Sequence, residues 1–216
     1  MSRKTQGTDN LTVFYHEGDL PAGLDLGKSI ALDSETMGLR FGRDDLCVVQ
    51  LSAGDGHAHV VRLNRPAYDC PNLKALLVDP SVLKLFHYGR FDIGMFALHL
   101  GVDTSPVYCT KIASKLARTY TDRHGLKDLS RELVGVDMSK AQQSSDWGAA
   151  TLTPEQLAYA ASDVLHLHAL KDKLDAMLAR EGRSALAQAC FDFLPQRVKL
   201  DLAGWEDCDI FAHSWI

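Results

Sequence analysis

The apolar pattern of the chain changes near residue 91, and this change limits the possible folds more than any other feature. Upstream of it, short runs of β-branched and other apolar residues predict β-strands at 29–32, 46–52, 57–63 and 82–86. Downstream of it, apolar residues recur with the spacing of an α-helix at 91–100, 110–120, 126–134 and 153–180. Strands followed by helices that cover them predict an α/β fold with a mixed β-sheet flanked by helices.

The last helical segment has a clear start signal. Thr153 is suited to the N-cap, Pro154 to the first helical position, and Gln156 lies three residues after the cap. Gly182 is suited to ending the helix. The sequence therefore predicts a continuous helix from this cap to the region of Arg180.

Composition excludes several classes of protein. The five cysteines lie far apart without a CxxC pair, which argues against a disulfide framework and against a zinc ribbon. The net charge of -5 argues against a protein that coats long nucleic acid, because such binding needs many Lys and Arg contacts to phosphate. No apolar run reaches the roughly 18 residues of a membrane span, and the N-terminus is polar. We therefore expect a cytoplasmic protein without a membrane partner.

Two acids follow the predicted strand at 29–32. Asp33 and Glu35 are separated by one residue, so their side chains point to the same side of an extended strand. Two carboxylates held close together repel each other unless a positive charge lies between them. This pattern favours a metal ion, although alternating acids also occur on ordinary solvated strand faces.

Further acids occur in apolar surroundings. Asp92 lies at a predicted strand-to-helix junction, and Asp163 lies in an apolar helical segment one turn after Tyr159. Each of these residues alone is more often a turn, capping or core residue. Together, four carboxylates in apolar contexts would cost several kcal/mol if they were unpaired. Oxygen ligands without a Cys or His cluster favour Mg²⁺ or Mn²⁺, and two such ions about 4 Å apart suit phosphodiester hydrolysis.

Three motifs carry a resemblance to a known family. They are LDSETMGL with Asp33 and Glu35, FHYGRFD with Asp92, and YAASD with Tyr159 and Asp163. The segment HGLKDLSRELVGVDMSKAQQSSDW lies between the second and third motifs. In this order they resemble the DEDD-type 3′-to-5′ exonucleases of the ribonuclease D family, in the branch that has Tyr rather than His before the last acid. The resemblance implies a ribonuclease H-like fold.

The resemblance also implies roles for the motif residues. Four of them, Asp33, Glu35, Asp92 and Asp163, are implied to be catalytic ligands of two divalent metal ions, Mg²⁺ or Mn²⁺. Tyr159 is implied to orient or deprotonate the attacking water. Orientation is physically easier, because an unperturbed tyrosine has a pKa of about 10.

The segments HYGRFD and RVKLDLAGWEDCDIFAHSW resemble the compact bacterial nano-RNase C group, which removes very short RNAs down to dinucleotides. Members of that group form octamers, so a homo-oligomer is implied. Ribonuclease D carries further helical (HRDC) domains after its nuclease core, and we expect no HRDC domain here. We expect a flexible N-terminus at 1–10, the exonuclease domain at 11–190, and a tail at 191–216 that packs on the domain or meets another subunit.

The motif segments also contain candidate substrate contacts. Leu39 lies where relatives place an apolar wedge between bases, and a buried strand-end leucine is an equal alternative. His87, Tyr88 and Arg90 are expected to stack on a base or to contact a 5′-phosphate. Tyr88 occupies a position at which the wider superfamily usually has Asn.

Other candidate substrate contacts are Thr36, Gln143 and Ser145. Gln143 and Ser145 lie in a polar stretch that is expected to help close the site together with Asp146 and Trp147. For Trp147, a core position is the alternative. The histidines outside the motifs are expected to be surface or core residues rather than metal ligands: His57, His59, His166 and His168.

The leading hypothesis is a two-metal 3′-to-5′ exoribonuclease that hydrolyses short single-stranded RNA down to dinucleotides and releases nucleoside 5′-monophosphates. One alternative keeps the chemistry but assigns longer RNA, such as tRNA 3′ ends, or DNA. The other alternative is a non-catalytic nucleic-acid-binding scaffold. The complete set of acids argues against a scaffold, because a scaffold has no use for carboxylates that repel each other.

Overall fold

Seven strands form one mixed sheet within the residues that the computed structural model describes, which are 3–6 (backbone only), 12–139, 141–142 and 144–213. The strands are β1 (Arg3–Gln6), β2 (Thr12–Glu17), β3 (Ser29–Thr36), β4 (Leu46–Ser52), β5 (His57–Arg62), β6 (Leu83–Phe86) and β7 (Val107–Cys109). Their order across the sheet is β1-β2-β5-β4-β3-β6-β7. Strand β4 is antiparallel to both neighbours, whereas β3, β6 and β7 run parallel. The predicted α/β fold with a mixed sheet is confirmed.

The helices follow mainly in the second half of the chain. They are α1 (Pro71–Val78), α2 (Arg90–Met95), α3 (Thr110–Ala117), α4 (Leu126–Leu129), α5 (Pro154–Leu165), α6 (Leu167–Arg180) and α7 (Ser184–Leu200). Helices α2, α4 and α7 each continue directly into a π-helical turn, at Phe96–Leu100, Ser130–Val134 and Asp201–Trp205.

Helix α5 crosses the sheet over β3, β4 and β5, while α7 packs against α2, α3 and β7. The predicted start of α5 is confirmed, because the Gln156 backbone N–H donates to Thr153 Oγ1 at 3.2 Å and the Thr153 backbone N–H donates to Gln156 Oε1 at 2.9 Å. Apolar side chains from the strands and the helices form one buried core. The core thus fixes α5 against the strands that carry the acids.

The continuous helix predicted up to Arg180 is wrong in one respect. Helix α5 ends at Leu165 and α6 begins at Leu167, with His166 between them at φ -105° and ψ -3°. Neither Gly nor Pro marks this break, so the apolar spacing runs through it without a signal.

Sequence patterning also overlooked β1, β2, β7, α1 and most of α7. Strand β1 lies within the segment for which a flexible N-terminus is expected, and it pairs with β2. The expected boundary between residues 190 and 191 falls inside α7, where the Phe191 ring packs on Tyr108 with ring centroids 4.4 Å apart. Residues 7–11 and 214–216 lie outside the described residues, and the domain limits as a whole stay a prediction.

No helix in the described part of the chain combines the length and the apolar character that crossing a bilayer requires.

Candidate active site

Strand β3 ends in the two acids of the first motif. Its apolar half is fully buried, whereas Asp33 and Glu35 are half-buried. Asp33 lies opposite Gln50 of the neighbouring strand β4, and Glu35 lies opposite Val48. Because side chains two positions apart share a face of the strand, both carboxylates lie on one face.

Helix α5 brings Tyr159 and Asp163 to the same place, one turn apart on one helix face. One carboxylate oxygen from each of three acids lies within 4.8 Å of the others: Asp33, Glu35 and Asp163. The structure therefore brings three of the four predicted acids within reach of a single cation.

The fourth acid, Asp92, lies in the first turn of α2 and is buried. Strand β6 pairs with β3 only as far as Ala31, and the chain then turns into α2. The Ser34 hydroxyl donates a hydrogen bond to Asp92 Oδ1 at 2.5 Å. Burial is the main cause of the raised pKa of Asp33 and of Glu35, and the charge of Asp92 raises both further. Asp92 therefore borders the group of three acids without belonging to its tightest part.

The four acids strongly perturb one another. Burial, followed by the charges of Asp163 and Asp92, raises the pKa of Glu35 to about 9. Burial raises the pKa of Asp92 to about 7 and that of Asp163 to about 7, and the pKa of Asp33 also rises well above its usual value. Desolvation and mutual repulsion thus hold protons on the acids when no cation compensates their charge.

Gln50 contacts two of the acids from β4, the strand next to β3. Its Nε2 donates to Asp33 Oδ2 at 2.7 Å and makes a longer contact with Glu35 Oε1 at 3.4 Å. The side chain is fully buried. Sequence analysis did not single out Gln50, although an amide in the otherwise apolar strand Leu46–Ser52 is a usable signal.

Tyr159 faces the acids with its hydroxyl. Burial and the nearby charges of Asp163, Glu35 and Asp33 raise its pKa above the ordinary value. Its hydrogen bond to Asp163 offsets part of the rise that burial causes in the pKa of that acid. The Trp147 ring lies 6.1 Å from the Tyr159 ring and is buried, as the core alternative for Trp147 predicted.

A groove of about 510 Å³ opens beside the acids. Three of the four acids and two candidate substrate contacts, Thr36 and Ser145, line this groove. Its lining includes Asp33, Glu35, Thr36, Leu39, Phe91, Ser145, Trp147, Tyr159 and Asp163. Leu39 is 80% exposed on its rim, so the alternative of a buried strand-end leucine is wrong. Gln143 lies outside the described residues.

A second hollow of about 390 Å³, which we call the Tyr88 pocket, adjoins Asp92 and Leu39 and includes His87, Tyr88 and Arg90. Tyr88 has a φ of 66°, in the left-handed region that non-glycine residues adopt at a cost of about 1–3 kcal/mol. Its ring is half exposed, and Lys111 Nζ lies 4.3 Å from the ring centroid.

Arg90 is engaged by the C-terminal part of the chain. Its Nε and Nη2 donate to the two carboxylate oxygens of Asp201 at 2.5 and 2.8 Å, and Nη2 also donates to the Glu206 carbonyl at 2.8 Å. Arg197 Nη2 reaches the same carboxylate at 3.0 Å. The expected phosphate contact of Arg90 therefore has to rely on Nη1, which makes no hydrogen bond within the described residues.

A third hollow of about 270 Å³ lies on the other side of Tyr159 and Asp163. It includes Lys127 and Ser139, neither of which sequence analysis singled out. His87 borders both this hollow and the Tyr88 pocket, and its Nδ1 lies 2.9 Å from Thr110 Oγ1.

Four of the histidines outside the motifs contact neighbouring side chains of the fold, away from the acid cluster. His16 Nε2 lies 2.9 Å from His59 Nδ1, His57 packs against Phe14, and His168 Nε2 contacts Ser29.

A divalent cation fits the acid cluster. Carboxylate oxygens are the hard ligands that Mg²⁺ and Mn²⁺ prefer, and a cation between the acids would relieve the repulsion that raises their pKa values. Elsewhere in the described stretches, no set of three His, Cys, Asp or Glu side chains has its ligand atoms this close together.

Comparison with known proteins connects this site to a family. Residues 19–179 match the family model described as 3′-5′ exonuclease. Ribonuclease D of Granulibacter bethesdensis is 37% identical over 156 residues, which cover 72% of this chain and 39% of that protein. Ribonuclease D of Nitrobacter hamburgensis is 31% identical over 161 residues, which cover 70% of this chain and 42% of that protein. The chain therefore spans less than half the length of these relatives.

Solved structures match over nearly the whole chain. The apo form of a nuclease is 60% identical with a TM-score of 0.91, covering 94% of this chain and 99% of that one. Brucella melitensis NrnC with bound Mg²⁺ is 52% identical with a TM-score of 0.90, covering 94% and 99%. The same protein bound to pGG is 53% identical with a TM-score of 0.90, covering 94% and 98%. The fold, the motif resemblance and these matches agree, and the chain belongs to the 3′-to-5′ exonuclease family, with ribonuclease D and NrnC as relatives.

Proposed function

We propose that this protein is a metal-dependent 3′-to-5′ exoribonuclease that hydrolyses short single-stranded RNA down to dinucleotides and releases nucleoside 5′-monophosphates. The observation that carries the proposal is the convergence of three acids within 4.8 Å of one another, with Asp92 and Tyr159 beside them. Membership in an exonuclease family supports the reaction type.

The acids would hold two divalent ions, Mg²⁺ or Mn²⁺. When bound, such ions supply a water nucleophile at neutral pH and stabilise the charge that develops on the phosphate and the leaving oxygen. Asp33, Glu35 and Asp163 form the closest ligand group, and Asp92 completes the set from the β3 edge. The Mg²⁺ in Brucella melitensis NrnC supports a divalent cofactor.

Tyr159 acts by orienting the water. Its pKa is raised above the ordinary tyrosine value, so the phenol keeps its proton at neutral pH and serves as a hydrogen-bond partner rather than as a base. Asp163, one turn away on the same helix, fixes the position of the hydroxyl.

The substrate side consists of short hollows in which apolar and aromatic side chains are exposed beside charged ones, which favours short RNA. Leu39 lies exposed between the groove and the Tyr88 pocket, where it would separate two bases. Tyr88 offers a ring for stacking, and His87 and Arg90 border the same pocket for a 5′-phosphate. Thr36, Ser145 and Gln143 are proposed contacts on the groove side. The pGG bound to Brucella melitensis NrnC supports a substrate of dinucleotide size.

A length series tests the substrate class. Labelled RNA and DNA, from dinucleotides to strands long enough to cross the whole protein, are digested with Mg²⁺ and with Mn²⁺. We expect dinucleotides and other short RNAs to be hydrolysed fastest. Faster shortening of long strands would favour the ribonuclease D-like alternative, in which tRNA 3′ ends or DNA are substrates.

A ligand variant tests the chemistry. Asp163→Asn removes one charged ligand without changing the shape of the side chain, so we expect activity to fall at least about a thousandfold while the fold survives. Asp172→Asn on the exposed face of α6 is the matched control and should keep normal activity. Normal turnover by Asp163→Asn would overturn the site assignment, whereas a wild type without turnover would favour the scaffold alternative.

We further propose a cytoplasmic homo-oligomer, an octamer by resemblance, without a membrane partner. The exposed apolar side chains near the C-terminus support an interface between subunits: Trp205, Ile210 and Phe211.

A further inference from the structure

Gln50 is an unusual residue for its position. It lies in the middle of strand β4, has no exposed surface, and has the apolar residues Val49 and Leu51 as neighbours in the chain. Directly across the sheet it faces Asp33. A buried primary amide at such a position is retained only if its hydrogen-bonding groups are used.

The amide is used on one side only. Nε2 donates to Asp33 Oδ2 at 2.7 Å and lies 3.4 Å from Glu35 Oε1, whereas the buried Oε1 finds no donor among the residues that the structure describes. Rotating the amide by half a turn would direct Oε1 at two carboxylates and would create repulsion. The two acids therefore determine the orientation of the amide, even though this leaves its carbonyl unsatisfied.

We propose that Gln50 is a positioning residue that fixes the Asp33 and Glu35 carboxylates for a divalent cation. This inference rests on the proposed metal site. By holding Asp33 Oδ2 from the neighbouring strand, the amide restricts rotation of a carboxylate that has one oxygen in the three-acid cluster. Partners that hold metal ligands in this way typically change metal affinity by about 10–100-fold when they are removed.

The neutral charge of the amide is part of this role. A lysine or arginine in the same place would also donate to both acids, but its positive charge would neutralise the cluster and compete with the cation. An amide fixes the carboxylates without reducing the negative charge that attracts the metal.

Calorimetric titration with Mn²⁺ tests the proposal directly. Gln50→Met keeps the length of the side chain and removes its donor, so we expect Mn²⁺ to bind about 10–100-fold more weakly than to the wild type. The Mn²⁺ concentration that gives half-maximal hydrolysis of a dinucleotide should rise by the same factor, while the rate at saturating Mn²⁺ recovers to near the wild-type value.

Val49→Ala is the control for a general loss of stability. Val49 is equally buried in β4, but its side chain lies on the opposite face of the sheet from Gln50, Asp33 and Glu35. We expect this variant to melt at a lower temperature and yet to bind Mn²⁺ as the wild type does. If Gln50→Met does not fold, Gln50→Val removes the same donor with a residue that suits a strand.

The outcomes separate the two claims. Unchanged Mn²⁺ affinity in the folded Gln50 variant, or an equal loss in Val49→Ala, would overturn the role of Gln50. Failure of the wild type to bind Mn²⁺ would instead overturn the metal site of the proposed function.

Discussion

At the scale of single residues, the backbone at Tyr88 illustrates how one position combines strain with exposure. Its φ of 66° is unfavourable for an aromatic residue, and the following Gly89 is required because a Cβ there would lie 2.6 Å from Phe86 Cβ. Asn adopts the left-handed region more readily than Tyr does. In this protein the strained position carries Tyr88, whose ring lines the pocket.

Tyr159→Phe tests the orientation of the water. The ring and its packing against Trp147 are kept and only the hydroxyl is lost, so we expect hydrolysis to slow by about 100-fold or more with little change in melting temperature. The measurement is the rate on a dinucleotide at saturating Mn²⁺. Tyr120→Phe, at a residue that is 71% exposed, is the control. A Phe variant at 159 with the full rate would contradict the proposed role.

The raised pKa values of the acids predict how pH changes the stability of the metal-free protein. A carboxyl whose pKa rises on folding contributes its full stability below the unfolded pKa and loses it as pH rises through the folded pKa, here about 7 for Asp92 and Asp163 and about 9 for Glu35. In EDTA, the melting temperature should therefore fall as pH rises from about 7.5 to 9, a window far enough above the ordinary histidine pKa of about 6.5 that unfolded histidines are largely neutral.

Glu35→Gln provides the comparison for this pH dependence. The variant lacks one of the carboxylates that repel each other, so its melting temperature should fall less over the same pH window than that of the wild type. Differential scanning calorimetry in EDTA measures both slopes, and added Mn²⁺ should reduce the slope of the wild type. Equal slopes for the two proteins would refute coupling among the acids.

The residues of the acid cluster could be predicted because each lies in a motif with a readable local pattern. The partner of Arg90 could not be predicted in the same way, because Asp201 is 111 positions away and no local rule connects the two. Gln50 lies between these cases, since its polarity in an apolar strand is visible but its hydrogen bond to Asp33 depends on the register of two strands.

At the scale of secondary structure elements, the junction between α2 and the end of α7 connects the C-terminus to the candidate site. Asp201, with no exposed side-chain surface, joins Arg90 from the start of α2 to Arg197 of α7. Arg197 also donates to the carbonyls of Trp205, Glu206 and Cys208. These contacts hold in place the wall of the Tyr88 pocket that contains Asp201, Glu206 and Asp207.

Asp201→Ala tests this connection. It leaves two arginines without their shared partner, and we expect the free energy of unfolding to drop by about 2–3 kcal/mol, below the usual loss for a fully buried pair because Arg90 can turn partly to water. Asp103→Ala breaks the exposed pair with Lys199 and should cost no more than about 1 kcal/mol. Urea unfolding measures both values, and equal losses would contradict the structural role of Asp201.

Elements with strong end signals were predicted well, and elements without them were not. The capping box fixed the start of α5, but nothing in the sequence marks its end at His166. Helix α7 contains Pro195, a residue that usually ends a helix, and it was therefore not recognised as one continuous helix. Strand β7 has three residues, too few for an alternating pattern to be detected.

At the scale of the whole molecule, three hollows meet around one group of acids. The groove and the Tyr88 pocket share Leu39 and Phe91. His87 lines both the Tyr88 pocket and the hollow beside Lys127. The groove and the hollow beside Lys127 share Tyr159 and Asp163. The group of acids is therefore reached from more than one side.

The proposed subunit interface can be tested on the C-terminal surface. Phe211 is 78% exposed and contacts Phe193, with ring centroids 6.1 Å apart. If this surface joins subunits, the wild type should sediment as an oligomer, and Phe211→Asp should shift it to smaller species because a charge would be buried at the contact. Tyr120→Asp is the control with similar exposure. A monomeric wild type would contradict the proposal.

The early end of β6 has one more consequence. Because β6 pairs with β3 only as far as Ala31, the outer half of β3 has a vacant edge, and Asp92 lies there. The length of β6 therefore determines how much of the β3 edge is free for Asp92. Two residues inserted before Tyr88 would let β6 extend along that edge, and the sheet would become more regular while Asp92 was displaced from its contact with Ser34.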